Sequence, residues 1–131
     1  MDVDFDRLFK EFANLKVVVI GDVMLDTYWW GKVERISPEA PVPVVALTSK
    51  EFRLGGAANV ALNLKALSAS VAMFSVIGND DDGKLLVKKF GEENINTSWL
   101  FRSSERITTN KSRIISRNQQ MLRLDAEIEV Q

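Results

Sequence analysis

The chain has 131 residues and a mass of 14.7 kDa, the size of one ordinary domain. Lys plus Arg number 17 and Asp plus Glu 18, a formal charge of −1, so the chain lacks the electrostatic footprint of a nucleic-acid or anionic-membrane binder. It has no cysteine and no histidine, which excludes disulfide frameworks, thiolate zinc sites, cysteine nucleophiles and the Ser-His-Asp triad, and leaves proton chemistry to carboxylates, lysine or tyrosine.

Met1 to Lys10 carries three aspartates and no apolar core, unlike a secretory signal, and no apolar run is long enough to span a membrane. A cytoplasmic location is expected. Phe5, Leu8, Phe12 and Leu15 recur at helical spacing, which predicts an amphipathic helix over Asp4–Leu15. Val17-Val18-Val19-Ile20 is an unbroken β-branched run, the pattern of a strand buried on both faces in a parallel sheet. Residues Thr27–Leu54 hold Tyr28-Trp29-Trp30 and all three prolines, Pro38, Pro41 and Pro43. Proline belongs at edges, so this stretch reads as a small β-element projecting from the main body.

Gly55-Gly56 introduces a helix over Ala57–Leu67, apolar enough to be largely buried. A strand over Val71–Ile77 and a helix over Asp81–Phe90 follow. Asp81 and Asp82 begin that helix, Lys88 and Lys89 close it, and Gly91 is its expected C-cap. Ser112–Ser116 and Met121–Leu124 read as two strands around Arg117-Asn118-Gln119-Gln120. The alternation predicts an α/β domain with a parallel sheet and flanking helices.

Four constellations can carry chemistry. Asp22 and Asp26 follow the first strand, where open α/β sheets bind ligands. Their carboxylates can accept hydrogen bonds from sugar hydroxyls, or serve a turn and a helix cap. Gly55 and Gly56 let backbone approach a ligand, and Asn59 brings an amide that needs partners if buried. Asp80, Asp81 and Asp82 suit helix capping better than a divalent metal. Lys111, Arg113, Arg117 and Arg123 form a basic set. Lys111 and Arg113 alternate on a strand and should share a face, either to grip a phosphate or as a solvated surface.

Together, Gly55-Gly56-Ala57-Ala58-Asn59-Val60-Ala61, Ser68, Gly78, Asp80 and Gly83 resemble the first signature of the ribokinase (PfkB) family of carbohydrate kinases. Gly21–Asp26, Arg35–Val44, Ser116–Gln120 and Arg123-Leu124-Asp125 further resemble the family's heptose 7-phosphate kinase branch, so that the likeness runs from about Val17 to Asp125. The resemblance implies a ribokinase-like fold and transfer of the ATP γ-phosphoryl group, with Mg²⁺, to O1 of a heptose 7-phosphate on the route to ADP-heptose and lipopolysaccharide core. It implies sugar binding by Asp26, Gly55, Gly56 and Asn59, with Asp22 beside them. Lys111 and Arg113 are the candidates for the 7-phosphate. Residues 27–54 would belong to a β-lid that excludes water and forms a homodimer clasp through Tyr28, Trp29 and Trp30. In many bacteria such a kinase is fused to an adenylyltransferase.

The family's catalytic base lies in a Gly-Ala-Gly-Asp motif, which this sequence does not contain. Residues 1–131 are therefore expected to be the sugar-binding part of one domain, without the ATP-binding half, inactive alone and with a sheet edge and helix faces exposed. Two other readings stand beside this one: a non-catalytic sugar-phosphate-binding or dimerisation module, and a kinase of another phosphosugar.

Overall fold

The computed structural model describes residues 4–128. In chain order the elements are α1 (Phe5–Phe12), β1 (Lys16–Ile20), β2 (Val23–Ile36), β3 (Pro43–Gly56), α2 (Ala57–Ala66), β4 (Ser70–Gly78), α3 (Asp81–Glu92), β5 (Asn96–Ser103), β6 (Asn110–Ser116) and β7 (Gln119–Ala126). Two sheets result. One is parallel, in the order β1-β4-β5; the other runs β3-β2-β6-β7, with β2 and β6 parallel and both outer pairs antiparallel.

The parallel sheet and helices α2 and α3 share one core. Val19, Val71, Met73 and Ile77 pack with Ala58, Ala61, Leu86 and Phe90, and Val23, Leu25 and Leu54 extend the cluster under the second sheet. The unbroken run in β1 does not give burial on both faces: Val18 is 60% and Ile20 76% exposed. Alternate side chains leave opposite sides of a strand, and the side away from the core is open in β4 and β5 too. Phe74 stacks on Trp99 at 6.4 Å and meets Phe101 edge-on at 5.4 Å on that open side.

Helix α2 is likewise covered on one side only, with Ala58 and Ala61 buried and Asn59 and Val60 exposed. The N-terminal helix is shorter than its apolar spacing predicts, and none of its residues is buried. Strand β5 is absent from the sequence-based expectation. Its polar start, Asn96-Thr97-Ser98, hides it, and parallel pairing with β4 decides its conformation.

The stretch expected to project over 27–54 is a hairpin that starts earlier and ends later, from Val23 paired with Gly56 to Ile36 paired with Pro43. It forms one sheet with the two C-terminal strands. Those strands meet in a two-residue turn, Arg117 (φ 49) and Asn118 (φ 62), whose left-handed pair matches strand twist; Gln119 and Gln120 already belong to β7.

Gly91 does not cap α3. The helix continues through it, and the left-handed position is Asn94 (φ 54). The Asn94 N–H donates to the Gly91 carbonyl (3.1 Å) and the Ile95 N–H to the Phe90 carbonyl (3.0 Å). This is a Schellman closure with Ile95 and Phe90 both buried. At the other end Asp80 is the N-cap, accepting from the Gly83 N–H at 2.8 Å. The same carboxylate accepts from the Thr108 N–H and hydroxyl, both at 2.7 Å, and that hydroxyl accepts from the Gly78 N–H at 3.0 Å. Burial pushes the Asp80 carboxyl up, but these hydrogen bonds outweigh it and hold the group below its ordinary value.

A carboxyl lowered in the folded state stabilises the fold above its unfolded pKa and loses that contribution as pH falls through the folded value. Asp80→Ala is expected to cost about 2 kcal/mol at neutral pH through the lost cap and charge-assisted bonds. In urea unfolding from pH 7 to pH 2, the gap to wild type should narrow below about pH 4; a gap that stays constant would count against the linkage.

Strand β3 runs directly into α2 at Gly56, which has φ +60. The Ala57 N–H donates to the Asp22 carbonyl at 2.9 Å, and a Cβ on Gly56 would come within 2.6 Å of that same oxygen. Around Gly91, by contrast, a Cβ meets nothing within 4 Å. Gly56→Ala should therefore lower stability by roughly 1–2 kcal/mol. Gly91→Ala should raise it by about 0.5–1 kcal/mol, since it removes backbone entropy from the unfolded chain. Denaturant midpoints of the two variants, moving in opposite directions from wild type, check both.

Candidate functional site

Strand β2 supplies the site because its side chains alternate. Val23, Leu25 and Thr27 point into the core and are buried. Asp26 and Tyr28 take the other face. Register carries that face across the sheet. Asp26 pairs with Arg53 on β3 and Lys111 on β6; Tyr28 pairs with Glu51 and Arg113. Six polar or aromatic side chains thus share one surface at the foot of the hairpin.

Asp26 is neither a turn residue nor a cap. Its Oδ1 accepts from Arg113 Nη1 at 2.6 Å, with both side chains about four-fifths covered at 20% and 23% exposure. The bond to Asp26 raises Arg113 above its ordinary pKa, against the opposing effect of burial. The other carboxylate oxygen lies over Gly55, where any Cβ would run into it. Gly55 is thus required by a close approach of backbone to the carboxylate.

A cavity of about 420 Å³ opens beside this carboxylate. Asp26, Tyr28, Arg53, Gly55, Gly56 and Asn59 form one side of it, and Lys89 and Glu92 of α3 with its C-cap Glu93 line the other. Four of the expected sugar-site residues, Asp26, Gly55, Gly56 and Asn59, therefore meet at one opening. Asn59 is exposed there rather than a buried amide in need of partners. Asp22 is not in the wall, and its carbonyl holds the start of α2.

Arg113 stands behind Asp26 rather than in the cavity wall. Lys111 points toward β7 and the residues beyond it, with Nζ 3.8 Å from both Asp125 Oδ2 and Glu127 Oε2. Arg123 bonds Asp125 at 2.9 Å, and Arg117 sits in the β6–β7 turn, so the basic set does not act as one cluster. The three consecutive aspartates are also separated by their partners. Asp80 caps α3, Asp81 accepts from Lys84 Nζ at 2.7 Å, and Asp82 accepts from Asn110 Nδ2 at 2.8 Å. Among the described residues no three His, Cys, Asp or Glu side chains are grouped to hold a metal ion, and no helix is long and apolar enough to cross a membrane.

Sequence reasoning overlooked Arg53 and Lys89 as cavity residues and gave Tyr28 only an apolar role. The alternation Glu51-x-Arg53-x-Gly55 carried the signal for Arg53, since period two puts all three on one face with Asp26. Lys89 comes from another helix and has no such local signal. Chemically, the cavity joins three carboxylates, Asp26, Glu92 and Glu93, two cations, Arg53 and Lys89, glycine backbone and an amide. That set of acceptors and donors suits a hydroxylated ligand, with Arg53 and Lys89 the groups able to meet a negative charge on it.

Residues 14–127 match the pfkB family carbohydrate kinase pattern. The chain is 45% identical over 122 residues to the bifunctional protein HldE of Geobacter metallireducens, covering 93% of this chain and 25% of that protein. It is 50% identical over 118 residues to the D-beta-D-heptose 7-phosphate kinase of Bordetella bronchiseptica, covering 90% of this chain and 37% of that one. In fold it is similar to a carbohydrate kinase from Agrobacterium tumefaciens, with TM-score 0.69 at 22% identity over 86% of this chain and 35% of the other. A ribokinase from Cryptococcus neoformans in complex with ADP gives TM-score 0.60 at 18% identity, over 87% of this chain and 34% of the other. The chain thus spans between a quarter and two-fifths of the length of these curated relatives. The match over most of its length, on a mixed α/β ribokinase-like fold, makes the chain a member of the pfkB family of carbohydrate kinases.

Proposed function

We propose that the chain is the sugar-phosphate-binding part of an ATP-dependent kinase acting on a heptose 7-phosphate at O1, in the supply of ADP-heptose for lipopolysaccharide core. The observation that carries this reading is the convergence of Asp26, Gly55, Gly56 and Asn59 on one cavity, with Arg113 paired to Asp26 behind it. Relatives named as heptose 7-phosphate kinases and as bifunctional HldE proteins support the substrate class and a fused adenylyltransferase in the whole protein.

In this reading Asp26 accepts hydrogen bonds from sugar hydroxyls, the Gly55-Gly56 backbone lets the ring come close, and Asn59 contacts the ring from α2. Asp22 orders the start of α2 rather than touching the sugar. Arg113 and Lys111 attract the 7-phosphate. The hairpin of β2 and β3 serves as lid, and Trp29 and Trp30 supply apolar area for a homodimer clasp. ATP and Mg²⁺ would serve the complete enzyme. The part of the residues named above is binding, orienting and excluding water; among the described residues no acids are grouped to hold the metal.

Titration calorimetry of the chain with a heptose 7-phosphate is expected to give saturable binding, and addition of ATP no turnover. Absence of binding would sink the proposal, and turnover by this chain alone would sink the assignment to a binding part. Asp26→Ala is expected to reduce sugar affinity by at least roughly a hundredfold, as charge-assisted hydrogen bonds are lost; an unchanged affinity would remove Asp26 from the site. Arg113→Ala and Lys111→Ala should weaken the phosphorylated sugar more than its unphosphorylated analogue. Equal losses for both sugars would exclude a phosphate role.

A further inference from the structure

Arg53 has a place in the cavity that the reading so far does not use. Its guanidinium lies 4.6 Å from the centre of the Tyr28 ring, and that of Arg113 lies 5.3 Å from the same ring. Tyr28 stands between them because Arg113 is its register partner on β6 and Arg53 is its diagonal neighbour on β3. Stacking of this kind orients a guanidinium plane while leaving its N–H edge available. Arg53 donates from Nε and Nη2 to Glu51, at 2.7 and 3.0 Å, which uses two of five donors. Arg113 uses only Nη1, toward Asp26 and the Lys111 carbonyl.

The Glu51 carboxylate shows what this corner favours. It sits in the fork of Arg53, and that hydrogen bond holds its pKa below the ordinary value; Lys89, in the facing wall of the cavity, pulls in the same direction. The Glu51–Arg53 pair is half exposed, at 48% and 54%. Exposed pairs of this kind are weak and exchange easily. A phosphate monoester carries more charge than a carboxylate and three acceptor oxygens, so it competes well for the same fork. Glu51 lies outside the wall, whose acids are Asp26, Glu92 and Glu93. Asp26 is paired with Arg113, Glu92 ends α3, and Glu93 is the C-cap, its N–H donating to the Lys89 carbonyl.

We propose that Arg53, stacked on Tyr28, forms the grip for the phosphate of the bound sugar, that the Glu51 carboxylate occupies the Arg53 fork until the phosphate replaces it, and that Arg113, behind Asp26, adds charge without direct contact. The inference rests on the sugar-phosphate reading above and adds Arg53, Tyr28 and Glu51 to it. It makes Lys111, which faces Asp125 and Glu127, a contributor of long-range charge rather than a direct contact.

The test is calorimetry on the 131-residue chain with three probes: a heptose 7-phosphate, the same heptose without phosphate, and ATP. Arg53→Gln should weaken the heptose phosphate roughly tenfold or more and leave the unphosphorylated heptose unchanged. Arg53→Lys should recover only part of the loss, since it restores charge without the fork. Glu51→Gln, which removes the competing carboxylate, should strengthen binding of the phosphate. ATP, whose binding half the reading places outside this chain, should give no saturable heat with any variant; ATP binding that falls in Arg53→Gln would make the nucleotide the source of the anion and overturn the proposal. Wild-type affinity for the heptose phosphate in folded Arg53→Gln, or an equal loss for both sugars, would overturn the grip and leave the sugar site standing. Failure of the wild-type chain to bind either sugar would overturn the underlying reading as well.

Discussion

The site depends on one strand being held in two environments at once. Strand β2 buries Val23, Leu25 and Thr27 against the core and presents Asp26 and Tyr28 to the cavity. Period-two geometry makes the two assignments inseparable: a slip of one residue would expose Leu25 and bury Asp26. Burial of Leu25, which is fully covered, therefore fixes where the carboxylate points. The close contact of that carboxylate with Gly55 and its bond to Arg113 tie β3 and β6 to the same register. Hydrophobic burial sets the direction, and the polar contacts, individually weaker, set the detail.

A second tie joins this strand to the parallel sheet and its helices. Thr27 donates to Asn110 Oδ1 at 2.8 Å, and Asn110 donates to Asp82 at the same distance. Thr27 is buried, so the chain of bonds fixes the start of β6 where water competes little. Asp80, one turn away, holds Thr108 and thereby the segment that leads into β6. The N-terminus of α3 thus positions the strand that carries Lys111 and Arg113. This explains why consecutive acids at 80–82 serve architecture: each has a different partner, and none is left over to form a cluster.

How much of this is legible in the sequence depends on the range of the interaction. The glycine entry to α2 and the strands at 17–20 and 71–77 follow from local rules and agree with the structure, while the capping expected of the aspartates at 80–82 falls to Asp80 alone. Asp26 is singled out in the sequence by its place after the first strand and Asn59 by the Gly55-Gly56 pair before it, and both line the same cavity. The pairing of Asp26 with Arg113 spans 87 residues and depends on β2 and β6 being neighbours, which no local pattern states. The surroundings of Lys111 are hidden for the same reason, since it alternates with Arg113 but the acids it meets come from beyond the next turn. Gly91 misleads differently. Glycine at a helix end suggests a cap, yet Asn94 takes the left-handed position because Ile95 must return to bury against Phe90.

The same range argument applies to the sheet's open side. The unbroken run in β1 is correct chemistry for a strand covered twice, and only one cover is among the described residues. Val18, Ile20, Phe74, Val76, Trp99 and Phe101 all lie on that open side. Parallel sheets are rarely stable with an apolar face in water. The cavity draws nothing from this face: its walls are β2, β3, α2 and α3, on the opposite side of the parallel sheet. Recognition and exposed apolar surface are therefore physically separate. A partner covering Trp99 and Phe101 would stabilise the parallel sheet without entering the wall that holds Asp26 and Arg53.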